Sequence, residues 1–206
     1  MTTDVSAAFF ARHLAASPVL GIFRGADPRA TVELCHRAWE FGVELVEIPI
    51  QSDSALPSLQ AAVEAAREHG RQVGAGTVTT VRRLRAAHEL GASFTVAPGL
   101  HPPVVDASAE LGLPHLPGVA TATEIAGAEA AGLSWVKAFP AAQLGPDWIA
   151  AQRAPFPDIR FVATGGVGPD NAADFLRAGC SAVAIGSALS DPEALPRLRE
   201  AVRAAS

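Results

Sequence analysis

Sixteen basic residues occur in this chain of 206, and only one of them is a lysine. Lys137 lies in Ser134-Trp135-Val136-Lys137-Ala138-Phe139-Pro140, whose apolar members read as a short buried strand. A chain that carries its surface charge on arginine does not need this lysine for solubility. Burial strips water from an ammonium and favours the neutral amine, which attacks carbonyl carbon and forms a Schiff base. The competing reading is a strand-end lysine that snorkels to water or pairs with an acid. Glu47, inside Val46-Glu47-Ile48-Pro49-Ile50, is in an equally apolar setting. A carboxyl there needs a partner or a raised pKa, and either suits general acid–base work; a structural pair with an arginine is the alternative. Arg24 can clamp a carboxylate or phosphate, or close a rim salt bridge. Thr77 follows Gly74-Ala75-Gly76, where its hydroxyl can hold a small carboxylate or cap a helix, although Thr79 or Thr80 can cap instead.

These residues need elements to bring them together. A repeated phrase supplies them: a helical run, a glycine, then a short apolar strand. Gly42, Gly70, Gly91, Gly112, Gly132 and Gly179 each stand where a helix C-cap belongs. The strands that follow are apolar on both faces, as parallel strands covered by helices must be. They are expected over residues 19–23, 44–50, 72–76, 94–97, 115–118, 135–139, 160–163 and 182–185. Eight such units, with no linker between them, predict a single (β/α)8 barrel domain over residues 1–206 that includes an N-terminal amphipathic helix. An open doubly wound sheet is the weaker alternative, because no GxGxxG opens the chain.

A barrel gathers its chemistry where strands end. Arg24, Glu47, Thr77 and Lys137 all fall at or near such ends. So do Thr164-Gly165-Gly166 and Gly186-Ser187, which close the last two strands, where barrels commonly bind phosphate on backbone N–H groups. Ordinary turn glycines are the other reading. No Walker sequence is present, so a nucleotide is not implied.

Composition excludes other classes. The formal charge of −5 and the lack of a basic run argue against nucleic acid. Arg82-Arg83-Leu84-Arg85, the densest positive cluster, reads as a solvated helix face. Met1 to Ser17 carries Asp4, Arg12 and His13, so it is expected to be neither a secretory signal nor a membrane span. Cys35 and Cys180 form no disulfide framework and read as buried thiols of a reducing compartment, the cytoplasm by default. His13, His36, His69 and His88 fall on expected helices. His101 and His115 lie nearer the barrel, but no H-x-H or HExxH links them, so the expected chemistry uses no metal and no cofactor.

Taken in order, Glu47-Ile48-Pro49-Ile50, Gly74-Ala75-Gly76-Thr77-Val78, Val136-Lys137-Ala138-Phe139-Pro140, Thr164-Gly165-Gly166-Val167 and Ile185-Gly186-Ser187-Ala188 resemble the 2-keto-3-deoxy-6-phosphogluconate and -phosphogalactonate aldolases. The resemblance runs from about Pro18 to the end. It implies a trimeric class I aldolase that cleaves a phosphorylated 2-keto-3-deoxy sugar acid to pyruvate and glyceraldehyde 3-phosphate. On that resemblance Lys137 matches the Schiff-base lysine and Glu47 the proton-transferring carboxylate. Arg24 and Thr77 match substrate-binding positions, and Gly165, Gly166, Gly186 and Ser187 match the phosphate turns. Gln51, where many phosphogluconate enzymes carry arginine, resembles the phosphogalactonate branch, as do Thr121-Ala122-Thr123-Glu124 and Leu144-Gly145-Pro146. Thr164 resembles the phosphogluconate branch, where its hydroxyl meets the C4 hydroxyl. The two substrates are C4 epimers, so activity on both is expected. A phosphate-binding barrel isomerase or synthase, and a non-catalytic metabolite-binding barrel, are the rival readings.

Overall fold

The computed structural model describes residues 5–15, 17–186, 189, 191 and 193–205. Nine extended segments form one parallel sheet: β1 (Val19–Ile22), β2 (Leu45–Pro49), β3 (Gln72–Gly76), β4 (Thr95–Val96), β5 (His115–Leu116), β6 (Gly118–Val119), β7 (Trp135–Ala138), β8 (Arg160–Thr164) and β9 (Ala182–Ile185). Their order is β5-β4-β3-β2-β1-β9-β8-β7-β6. The two ends of that order, β5 and β6, are separated in the chain by Pro117 alone, so the backbone itself joins the sheet edges and makes the cylinder.

The strand expected over residues 115–118 is therefore two segments. Proline has no N–H to give the ladder, and the pairing changes partner at that point. His115 and Leu116 register with Thr95 and Val96, whereas Gly118 and Val119 register with Lys137 and Ala138. The carbonyl of Pro117 still accepts from Lys137 N at 2.8 Å.

Helices cover the outside: α1 (Val5–Leu14), α2 (Pro28–Glu40), α3 (Leu56–Glu68), α4 (Val81–Glu89), α5 (Pro102–Glu110), α6 (Ala122–Ala130), α7 (Ala141–Leu144), α8 (Pro146–Arg153), α9 (Ala172–Arg177) and α10 (Ala194–Arg203). Their starts follow from side chains that replace missing backbone acceptors. Asp27 accepts from Ala30 N at 2.9 Å, and Thr80 and Thr121 accept from Arg83 N and Glu124 N. The six expected C-cap glycines all adopt positive φ.

Strand alternation sorts the core into two layers. Outward residues such as Val46, Ile48, Val136, Phe161 and Val183 pack on helix residues including Leu59, Val63, Leu84 and Phe175. Inward residues Leu20, Leu45, Phe94, Leu116, Trp135 and Val162 fill the cylinder together with Phe10 and Leu14 of α1. Phe10 is fully buried, its ring 5.8 Å from Phe94 and 6.0 Å from Trp135. Ser6 Oγ also accepts from His115 N at 3.0 Å. Helix α1 thus stoppers the end where strands begin, leaving the opposite end open.

Candidate active site

The open end holds a cavity of about 520 Å³ lined by Arg24, Glu47, Lys137, Phe139, Thr164, Gly165, Gly166 and Gly186, among others. Lys137 and Glu47 each occupy the third position of their strands, β7 and β2. Two residues below them on the same inward rows lie Trp135 and Leu45, both part of the apolar filling. Both polar groups therefore stand on a dry floor at the bottom of the mouth.

Lys137 is 6% exposed, and its Nζ lies 5.0 Å from the Phe139 ring centroid, a cation–π distance. Among the described residues it has no carboxylate within salt-bridge distance. Glu47 is 2% exposed, and its Oε2 is buried without a hydrogen-bond partner. Burial pushes the Glu47 carboxyl above its ordinary pKa, opposed in part by the charges of Lys137 and then Arg24. Among the described residues the amine is buried rather than snorkelling, and the carboxyl is in no ion pair. A lone buried carboxyl close enough to feel the lysine charge can carry a proton to and from a bound molecule. Gly76 makes room for it, since a Cβ there would stand 3.0 Å from Glu47 Cδ and Oε1.

Next to β7, β8 ends at Thr164, which is buried and lines the cavity. Gly165 and Gly166 follow with φ of 93° and 71°. At Gly166 a Cβ would also meet the Ala142 methyl at 2.5 Å, so the turn demands glycine twice over. Asn171 pins this loop by donating Nδ2 to Gly166 O and accepting Gly168 N at Oδ1, each at 2.9 Å. Gly186 follows β9, and a Cβ there would lie 3.9 Å from the Ile22 carbonyl oxygen.

Seven expected site residues therefore share one cavity: Arg24, Glu47, Lys137, Thr164, Gly165, Gly166 and Gly186. Ser187 lies outside the described residues. Thr77 and Gln51 border the mouth without lining the main cavity. Thr77 has φ of 60°, a strained value for a β-branched residue. Thr80 caps α4, so capping does not explain Thr77. Gln51 is exposed; its Oε1 accepts from Arg24 Nη1 at 3.4 Å, and it borders a smaller cavity of about 120 Å³ with Ser52 and Ser54.

Sequence reasoning missed three contributors. Phe139 read only as strand, although its ring sits beside Lys137. Asn171 drew no reading at all; an asparagine just ahead of a helix was its only signal. The basic run at 82–85 is not all solvated, because Arg83 is half-buried and donates to Gln51 O and Thr79 Oγ1. His115 is a core residue: it is fully buried, its Nδ1 is 2.8 Å from Thr95 Oγ1, and burial lowers its pKa to about 4.

A parallel barrel with its polar groups gathered at the C-terminal mouth defines the class, a (β/α)8-barrel enzyme. The family model described as KDPG and KHG aldolase matches residues 11–200. A probable 2-dehydro-3-deoxy-6-phosphogalactonate aldolase of Rhizobium meliloti is 37% identical over 176 residues, 85% of this chain and 82% of the relative. A 2-dehydro-3-deoxy-phosphogluconate aldolase of Pseudomonas aeruginosa is 39% identical over 160 residues, 77% and 70% of the two chains. A solved structure described as native KDPGal superposes with TM-score 0.84 at 31% identity, covering 91% of this chain and 95% of the other. The chain belongs to the KDPG and KHG aldolase family, and so to the lyases.

Proposed function

We propose that this protein is a class I aldolase that cleaves 2-keto-3-deoxy-6-phospho sugar acids to pyruvate and glyceraldehyde 3-phosphate. The observation that carries this reading is one cavity holding a buried amine and a buried carboxyl, neither in an ion pair among the described residues, beside glycine-built loops.

The steps follow from that arrangement. Lys137 Nζ adds to the C2 carbonyl, and loss of water leaves a protonated imine. Glu47 takes the C4 hydroxyl proton as the C3–C4 bond breaks. The bonding pair moves into the imine to give an enamine, and the aldehyde departs. Glu47 returns a proton to C3, and water then hydrolyses the imine to release pyruvate and the free amine. A carboxyl whose affinity for protons is raised by burial suits a group that must both accept and return one. Gly165, Gly166, Gly186 and Ser187 receive the phosphate, Arg24 and Thr77 the anionic and polar groups at the other end. Thr164 lines the cavity and Gln51 touches it only through Arg24, and the two are assigned to discrimination at C4.

Pyruvate release from each C4 epimer, assayed side by side, tests the reading. Turnover of both epimers is the expected result, and exchanges at Gln51 and Thr164 should change their ratio more than the summed rate. No pyruvate from either epimer would overturn it. The homotrimer and cytoplasmic setting that the family resemblance implies belong to the same proposal; sedimentation of the purified protein checks the first.

A further inference from the structure

Two arginines leave the first turn of α4 toward the segment that follows β2. Arg82 Nη1 donates to Asp53 Oδ1 and Oδ2 at 3.1 and 3.3 Å. Both partners are about 70% exposed, so water and salt leave that pair little strength. Arg83 differs. Its Nη2 donates to Gln51 O at 2.5 Å and its Nη1 to Thr79 Oγ1 at 2.6 Å. One planar fork therefore holds the loop after β2 against the loop after β3, a geometry lysine cannot copy. Gln51 in turn offers Oε1 to Arg24 Nη1, and Arg24 lines the cavity with Lys137 and Glu47. Arg24 is exposed, so its long side chain wanders among rotamers unless something holds it, and ordering it on binding costs affinity.

Resting on the aldolase reading above, we propose that Arg83 is a positioning residue for substrate binding. By fixing Gln51 against Thr79 it sets the point where Arg24 is moored, and so the affinity for the anionic sugar acid. Arg83 is not among the residues lining the cavity, so its effect falls on KM and leaves the imine chemistry alone.

The experiment is a double-mutant cycle with Arg83→Met and Gln51→Ala, measured as pyruvate release from whichever epimer the unaltered protein cleaves. Arg83→Met should raise KM roughly fivefold to tenfold while kcat stays within about twofold. In the Gln51→Ala background the same change should move KM by less than about twofold, because the link to Arg24 is already cut. Arg82→Ala, on the same helix turn, should leave both constants unchanged. If Arg83→Met proves insoluble, Arg83→Lys, which can reach only one of the two anchors, carries the same cycle. Equal KM for Arg83→Met and the unaltered protein, or an undiminished penalty in the Gln51→Ala background, would overturn the inference. A wild-type protein that releases no pyruvate would sink the aldolase reading instead, so the two failures are distinguishable.

Discussion

Glu47 is where physical cost and the proposed chemistry coincide. Its Oε2 is buried with no partner, and its carboxyl holds a proton to higher pH than an exposed glutamate would. The unfolded chain releases that proton near the ordinary value of 4.5, whereas the folded chain keeps it longer. Stability from this group is therefore whole below pH 4.5 and drains away as pH rises through the raised folded value. Thermal unfolding of Glu47→Gln against wild type should show the difference between them shifting toward the variant as pH climbs from 4 to 8. The same variant should lose about 10²–10⁴ in kcat, read as pyruvate release, because the proposed proton carrier is gone. Lys137 was legible in the sequence because it is the sole lysine, and Glu47 because its neighbours are all apolar. The left-handed backbone of Thr77 was not legible, since nothing in a β-branched residue announces positive φ.

Strand ends and loops position these groups, and they fail in separable ways. Gly166→Ala must force φ of 71° on a Cβ that overlaps the Ala142 methyl. The loop after β8 should shift, raising KM for the phosphorylated substrate about tenfold or more with a smaller change in kcat, by steady-state kinetics. On β5, His115 is buried neutral with a pKa of about 4, against 6.5 in the unfolded chain. A depressed histidine costs stability as pH falls below 6.5, with the loss complete below about 4. Chemical denaturation at pH 7 and pH 4 should show about 3 kcal/mol of acid destabilisation in wild type that His115→Leu lacks. The six turn glycines announced where helices end, and Thr80 was one of two residues offered as the cap of α4. The split at Pro117 was less visible, because it depends on which neighbour each half of that strand meets. Arg83 was hidden because its partner Gln51 O lies in another loop, which only the closed barrel brings near, whereas Asn171 was hidden because its bonds to Gly166 and Gly168 depend on how its own loop turns.

At the scale of the molecule, one end is stoppered and the other open, and the amine stands between. Phe10→Ala should cost about 3–5 kcal/mol by denaturant unfolding, since it empties the floor beneath Trp135 and Phe94. Its kcat at a temperature where the variant remains folded should stay within a few-fold of wild type, because the reacting groups lie a layer above. The repeated helix–glycine–strand phrase made the barrel legible from the sequence, and the barrel in turn placed the separated motifs in one mouth. Everything chemical then rests on Lys137 forming a covalent imine with a keto acid. Borohydride reduction in the presence of pyruvate, followed by peptide mass mapping, asks this directly. The account predicts one reduced pyruvyl group per chain, on the peptide that contains Lys137, and none in Lys137→Met. Reduced protein carrying no adduct while wild type still releases pyruvate would contradict it.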